Sequence, residues 1–332
     1  MEPLYLADVD DKQAVEVNCC SRPCFRCCCK CCTPKCCVLS FLGFVGLVGI
    51  FFIGPRMGPS RFGENWIVGD GNAPYVISHG DCPCLPEPAN SMLWFEHAAG
   101  LGVDALEFDL QITKDDVLIA FHDREWDKLT NATGLVRDMT FAEMERTVDV
   151  SGSYEKYDGF LVSPPSIESI FERFSGTSVK FNVEIKTEIE LKDIVAEKLC
   201  GLLKDYGVEG RMLVASFDSE SLVAFRQKCG HAVATSGSAE ETENALIPIL
   251  LGLDRWWFRP GYLSVLQLPL EGAGFDLTDK KIVERAHAHG MAVQYWVVND
   301  EDEMRKVIKS GADGILTDEV EKLMGVMEEM GY

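Results

Sequence analysis

Two short stretches place charge where a buried strand should be apolar. "ALEFDL", residues 105–110, sets Glu107 and Asp109 two residues apart, and "NVEIKT", residues 182–187, does the same with Glu184 and Lys186. A strand alternates its faces with period two, so each pair shares a face. If both pairs point inward near the ends of their strands, three carboxylates and one ammonium converge. Carboxylates packed together repel and push one another's pKa values up. A hard divalent cation, Mg²⁺ or Ca²⁺, would relieve that repulsion, and oxygen donors suit it. The alternative is ordinary: outward-facing strand polars or simple ion pairs. Two histidines lie at strand ends nearby in pattern, His79 closing "YVISH" and His122 closing "VLIAFH". Imidazole titrates near neutrality, so a pair of this kind can move a proton in either direction. His97, His231, His287 and His289 fall in helical patterns or at a strand start, and no role is read for them.

The elements that would position these residues follow from periodicity. After residue 72, apolar β-branched runs alternate with helical patterns. The strands expected are 75–79, 104–112, 180–186, 211–217, 231–236, 262–268, 291–298 and 312–317. Helices are expected at 91–100, 190–205, 219–228, 278–289 and 301–310, with Asp218-Ser219 and Thr278-Asp279 as capping signals. Eight strands mostly separated by helices predict a (β/α)₈ TIM barrel. One extra run, 117–122, follows the polar turn Lys114-Asp115-Asp116 and reads as a hairpin extension of the second strand. An open doubly wound sheet is the other arrangement, but it would want a glycine-rich phosphate loop that is absent.

The 332 residues carry a net charge of −22, which argues against a nucleic-acid partner. Of fourteen cysteines, all but Cys82, Cys84, Cys200 and Cys229 crowd into residues 19–37. Residues 36–54, "CCVLSFLGFVGLVGIFFIG", contain no charge and are long enough for a transmembrane helix. Lys12, Arg22, Arg26, Lys30 and Lys35 precede this run and only Arg56 and Arg61 follow it closely. That bias predicts a cytosolic N-terminus and a lumenal or extracellular main domain. The expected organisation is a cytosolic cysteine-rich tail at 1–35, a membrane span at 36–54, a linker at 55–72 and the barrel at 73–325. Cysteines beside a membrane span and basic residues suit S-acylation better than zinc, which would want spaced pairs and usually a histidine.

With these residues in view, the chain resembles the glycerophosphodiester phosphodiesterase family over roughly residues 75–323. The stretch "GVDALEFDLQITKDDVLIAFHDREWDKLTNATGLVRDMTFAEM", residues 102–144, is similar to that family's acidic strand, Thr-Lys-Asp turn and His-Asp strand. "VEIK" at 183–186, "YWVVND" at 295–300 and "GADGILTD" at 311–318 resemble its later motifs in the same order. The resemblance implies a metal-dependent phosphodiesterase on a TIM barrel. It implies Glu107, Asp109 and Glu184 as metal ligands, His79 and His122 as the acid/base pair, and Lys186 as a phosphate-binding residue. It also implies Trp296 as an apolar wall for the alcohol portion of the substrate. Asn299 and Asp318 match motif positions without an assigned chemistry.

The resemblance also has departures. The family's first motif reads His-Arg-Gly, whereas this chain has His79-Gly80-Asp81, so an arginine expected near the phosphate is missing. The following motif is stretched through Pro86-Glu87-Pro88-Ala89-Asn90-Ser91, with Glu87 as the match for its glutamate. The expected substrate is a glycerophosphodiester or a related (lyso)phospholipid head-group ester, cleaved to release an alcohol. The alternative is a non-catalytic, membrane-anchored barrel that binds phosphodiesters or acts as a scaffold. Asn131-Ala132-Thr133 is a glycosylation sequon, and Cys82 and Cys84 either pair, in an oxidising lumen, or stay free.

Overall fold

The computed structural model describes residues 73–80, 85–152, 154–230, 232–257, 261 and 263–332. The cysteine-rich tail, the apolar run 36–54 and the linker 55–72 therefore lie outside the described residues, as do Cys82 and Cys84. Among the described residues no helix is long and apolar enough to cross a membrane.

The chain runs β1 (Tyr75–Ser78), α1 (Met92–Leu101), β2 (Ala105–Ile112), β3 (Leu118–Ala120), α2 (Phe141–Thr147), α3 (Ile167–Phe174), β4 (Lys180–Ile185) and α4 (Lys192–Tyr206). It continues through β5 (Met212–Ala215), α5 (Ser219–Cys229), β6 (Ala234–Thr235), α6 (Ala239–Leu251), α7 (Asp254–Trp257) and β7 (Val265–Leu268). A small hairpin follows, β8 (Glu271–Gly272) with β9 (Phe275–Asp276). Last come α8 (Lys280–Ala288), β10 (Ala292–Tyr295), α9 (Glu301–Ser310), β11 (Gly314–Thr317) and α10 (Val320–Glu329).

Eight parallel strands are ordered β6-β5-β4-β2-β1-β11-β10-β7. The two ends of that order meet in a parallel bridge between Ser236 and Val265, reinforced where Ser264 N–H donates to Thr235 O at 3.1 Å. The sheet is thus closed, and the architecture is the expected (β/α)₈ barrel. β3 pairs antiparallel with β2, Leu110 opposite Ala120, which is the hairpin extension read from its polar turn.

Two apolar layers show which way each strand residue faces. Val76, Leu106, Phe108, Leu110, Phe181, Val183, Val293 and Ile315 belong to the large core shared with helix residues such as Phe95, Phe171 and Leu199. Phe108 meets Phe95 and Phe181 edge-on at 5.3 and 6.4 Å. The intervening residues Ile77, Ala105, Leu213, Ala234, Val265, Ala292 and Leu316 form a separate cluster from seven strands. These are the inward positions, and they floor the barrel with branched and small side chains. Any polar side chain two or more residues further along the same stripe therefore rises towards the C-terminal mouth.

Away from the mouth, His287 on α8 places Nε2 2.7 Å from Asp313 Oδ2, which also accepts from Val293 N–H at 2.8 Å. The Asp313 contact raises the His287 pKa above its usual value, against the opposing effect of burial. A raised histidine pKa contributes stability that is complete below the unfolded value, about 6.5, and is lost as pH rises through the folded value. The melting temperature is therefore expected to fall from about pH 6 towards pH 8–9, and His287→Gln to flatten that slope. Equal slopes in thermal melts of the two proteins would contradict this linkage.

Candidate active site

The inward stripe of β2 runs Ala105, Glu107, Asp109, Gln111. Its register with β4 sets Glu107 beside Asn182 and Asp109 beside Glu184. Neighbours in parallel register share a face, so Asp109 and Glu184 stand side by side with Glu107 one step below. One oxygen from each of the three carboxylates lies within 4.8 Å of the others. Glu107 and Asp109 are buried and Glu184 is half-buried. Lys186, just past the end of β4, puts Nζ 3.3 Å from Asp109 Oδ1 and 4.0 Å from Glu184 Oε2. An all-oxygen donor set, clustered and buried, is the kind that holds a hard divalent ion. The residues present therefore fit such a cation.

The two histidines reach the same mouth from different strands. His79 follows β1 and extends its pairing, its N–H donating to Thr317 O at 3.1 Å. Its Nδ1 lies 2.8 Å from Asp318 Oδ1. Asn299 holds that carboxylate from the other side, with Nδ2 donating to Asp318 Oδ2 at 2.6 Å. The Asn299 Oδ1 in turn accepts from Asp318 N–H at 2.9 Å and from the Thr317 hydroxyl at 3.1 Å. With Nδ1 engaged by a carboxylate, Nε2 is the His79 nitrogen through which a proton can be exchanged with a substrate. His122 follows β3 and repeats the arrangement, with Nδ1 2.7 Å from Asp123 Oδ1. Its Nε2 lies 2.6 Å from Lys186 Nζ. With Lys186 charged, its ammonium can only donate, and Nε2 would then be the acceptor with the imidazole proton on Nδ1 facing Asp123.

Gln111 links these pieces. Its Nε2 donates to His122 O at 3.1 Å and to Lys186 O at 3.4 Å, tying the end of β3 to the end of β4. Trp296, the residue after β10, packs onto the apolar floor and meets Phe217 edge-on at 5.9 Å. β5 and β10 are three places apart around the barrel, so these two rings bridge the mouth above β6 and β7. The charged residues come from β1, β2, β3, β4 and β11. The mouth is therefore charged on one side and aromatic on the other.

Every residue expected at the site from sequence lies at this end of the barrel. Lys186 contacts Asp109, Glu184 and His122 directly, and Glu107 brings an oxygen within 4.8 Å of the other two carboxylates. His79 joins through Gly80, whose N–H donates to Glu107 Oε2 at 3.0 Å. Trp296 forms the opposite wall. Glu87 is not part of the cluster: its carboxylate is taken by His97 Nδ1 at 2.5 Å and Lys156 Nζ at 3.3 Å. Asp318, Asn299, Asp123 and Gln111 were without an assigned role in the sequence. Gln111 was detectable as the third polar residue of the Glu107–Asp109 stripe. Asp318 approaches His79 from 239 residues away, and no local pattern could have joined them.

The glycine at position 80 has a steric cause. A β-carbon there would overlap the carbonyl oxygen of Glu107 and crowd the Cα of Phe108 at 3.2 Å. The backbone at this point lies flat against β2, which brings its N–H to Glu107, and no side chain fits. The sequon residue Asn131 is engaged on both sides of its amide, donating to Thr147 O at 3.1 Å and accepting from Asp149 N–H at 2.8 Å.

The model of the glycerophosphoryl diester phosphodiesterase family matches residues 79–322. A glycerophosphodiester phosphodiesterase of Caldanaerobacter subterraneus subsp. tengcongensis is 30% identical over 262 residues, covering 77% of this chain and 98% of its own. A lysophospholipase D of Rattus norvegicus is 26% identical over 278 residues, 73% of this chain and 82% of its own. Among solved structures, an Oleispira antarctica phosphodiesterase in complex with its product sn-glycerol-3-phosphate superposes with a TM-score of 0.63. That similarity is at 22% identity and covers 77% of this chain and 97% of the other.

Proposed function

The chain belongs to the glycerophosphoryl diester phosphodiesterase family and is a phosphoric diester hydrolase, and from that premise we propose a metal-dependent, two-histidine cleavage of glycerophosphodiesters or lysophospholipids that releases an alcohol. The observation that carries this reading is the meeting of three carboxylates, a lysine and His122 at one barrel mouth, with His79 joined through Gly80. Glu107, Asp109 and Glu184 would hold the cation. Bound there, a divalent ion would stabilise the charge that builds on the phosphoryl oxygens during displacement.

The chain's own residues do the rest. Lys186 faces the same space with an ammonium and offsets negative charge on the bound phosphodiester. One histidine takes the proton of the attacking hydroxyl or water, and the other returns a proton to the departing alkoxide. Asp318 and Asp123 fix the tautomer and aim of His79 and His122 through their Nδ1 contacts. The aromatic wall of Trp296 and Phe217 offers an apolar surface to the alcohol portion of the substrate.

We further place the barrel on the lumenal or extracellular side of a membrane, tethered by residues 36–54 with an S-acylated cysteine-rich tail in the cytosol. The supporting observation within the barrel is a disulfide, Cys200 to Cys229, which suits an oxidising compartment.

The test is release of free alcohol from glycerophosphocholine, glycerophosphoinositol and lysophospholipids by the full chain. Turnover is expected in Mg²⁺ or Ca²⁺, lost in EDTA and restored when the cation is returned. Turnover that persists unchanged in EDTA would sink the metal role. No turnover on any of these esters would favour a barrel that binds phosphodiesters without cleaving them.

A further inference from the structure

Arg124 lies two residues beyond His122, and its side chain turns to the end of β4. Its Nε donates to Lys186 O at 3.5 Å. Lys186 is the residue whose Nζ touches His122 Nε2 at 2.6 Å and Asp109 Oδ1 at 3.3 Å. The arginine is therefore tied to the backbone of the residue that lines the reacting space. Its own backbone is also fixed, since Arg124 O accepts from Val136 N–H at 2.9 Å.

A guanidinium carries five donors, and this contact uses one. Arg137, Arg173, Arg226, Arg285 and Arg305 each pair with a carboxylate. Among the described residues no carboxylate forms an ion pair with Arg124. Arg146, Arg211 and Arg255 likewise have no such pair among those residues, so what distinguishes Arg124 is its place, exposed at the rim of the acidic mouth and hydrogen-bonded to Lys186. Position 80 cannot supply a second cation, because the backbone of Glu107 excludes any side chain there. Lys186 divides its ammonium among Asp109, Glu184 and His122. An anion entering above the carboxylates needs more positive charge than that lysine gives.

We propose that Arg124 is a substrate-binding residue that takes a non-bridging oxygen of the phosphodiester at the rim of the mouth. Its planar fork can grip phosphate in two places, which a lysine cannot do. This rests on the phosphodiesterase reading of the site.

The experiment compares wild type, Arg124→Gln and Arg124→Lys in steady-state turnover of a glycerophosphodiester. Affinity for inorganic phosphate is measured in parallel by calorimetry. Because Arg124 is exposed, all three proteins are expected to melt at the same temperature. Arg124→Gln is expected to raise KM and weaken phosphate binding by about tenfold to a hundredfold, with kcat changed much less, and Arg124→Lys to recover part of the loss. Unchanged KM and phosphate affinity in Arg124→Gln, or a fall in kcat alone, would overturn the proposal while leaving the phosphodiesterase reading intact. If Arg124→Gln did not fold, Arg124→Lys against wild type would carry the same comparison. A wild type inactive on every phosphodiester would instead remove the functional reading on which this rests.

Discussion

His122→Ala is expected to lower kcat by about 10²–10⁴-fold, the usual contribution of a positioned acid or base, while KM moves little. The imidazole lies between Asp123 on Nδ1 and Lys186 on Nε2, so it is both oriented and next to the carboxylate cluster. Removing it should leave the fold intact. The side chain is about a quarter exposed, at 24%, and Lys186 keeps its contact with Asp109. His97→Ala is the matching control, because His97 pairs with Glu87 away from the carboxylates. Steady-state kinetics with saturating cation and equal melting temperatures would make the comparison clean. A kcat for His122→Ala within a few-fold of wild type would exclude His122 from proton transfer.

The second large effect is on stability. Cys200 on α4 and Cys229 on α5 are joined by a disulfide across a separation of 29 residues. Closing a loop of that size removes entropy from the unfolded chain worth about 3–4 kcal/mol. For a domain of this size that corresponds to roughly 10 °C in melting temperature. Replacing both cysteines by serine, or reducing the bond, should produce that drop while leaving KM for substrate unchanged, because α4 and α5 pack outside the barrel. Equal melting of the oxidised and reduced protein would show that the bond carries no stability. Cys200 and Cys229 on neighbouring helices had no sequence cue linking them, since pairing depends on how the helices pack and not on spacing.

Other parts of the molecule were readable to different depths. The Glu107–Asp109 and Glu184–Lys186 pairs were legible because a charge in a buried strand conflicts with its surroundings, and such conflicts need a cause. β3 was legible from the Lys114-Asp115-Asp116 turn. β6 was less so: residues 231–236 read as a strand, but Ala234–Thr235 alone form it, and closure passes through the Ser236–Val265 bridge. α6 was obscured by Pro248 within it, although Ser238 and Glu241 form a capping box at its start. α2 and α3 lie in the long excursion between β3 and β4, where no strand spacing marked them. The carboxylates behind the histidines differ in the same way. Asp123 is adjacent to His122, whereas Asp318, held by Asn299, meets His79 only after the barrel closes.

β2 carries three jobs on one stripe: Ala105 in the floor, Glu107 and Asp109 at the site, and Gln111 as the tie between strand ends. The other stripe, Leu106, Phe108 and Leu110, belongs to the helix-facing core. The strand therefore works as a reading frame. Substituting any one of these residues damages one job. Adding or removing a single residue between Ala105 and Ile112 exchanges the stripes, turning carboxylates into the helix layer and phenylalanine into the mouth. In lineages descended from this chain, length should be fixed through this segment even where residue identity drifts, while the excursion between β3 and β4 is free to lengthen.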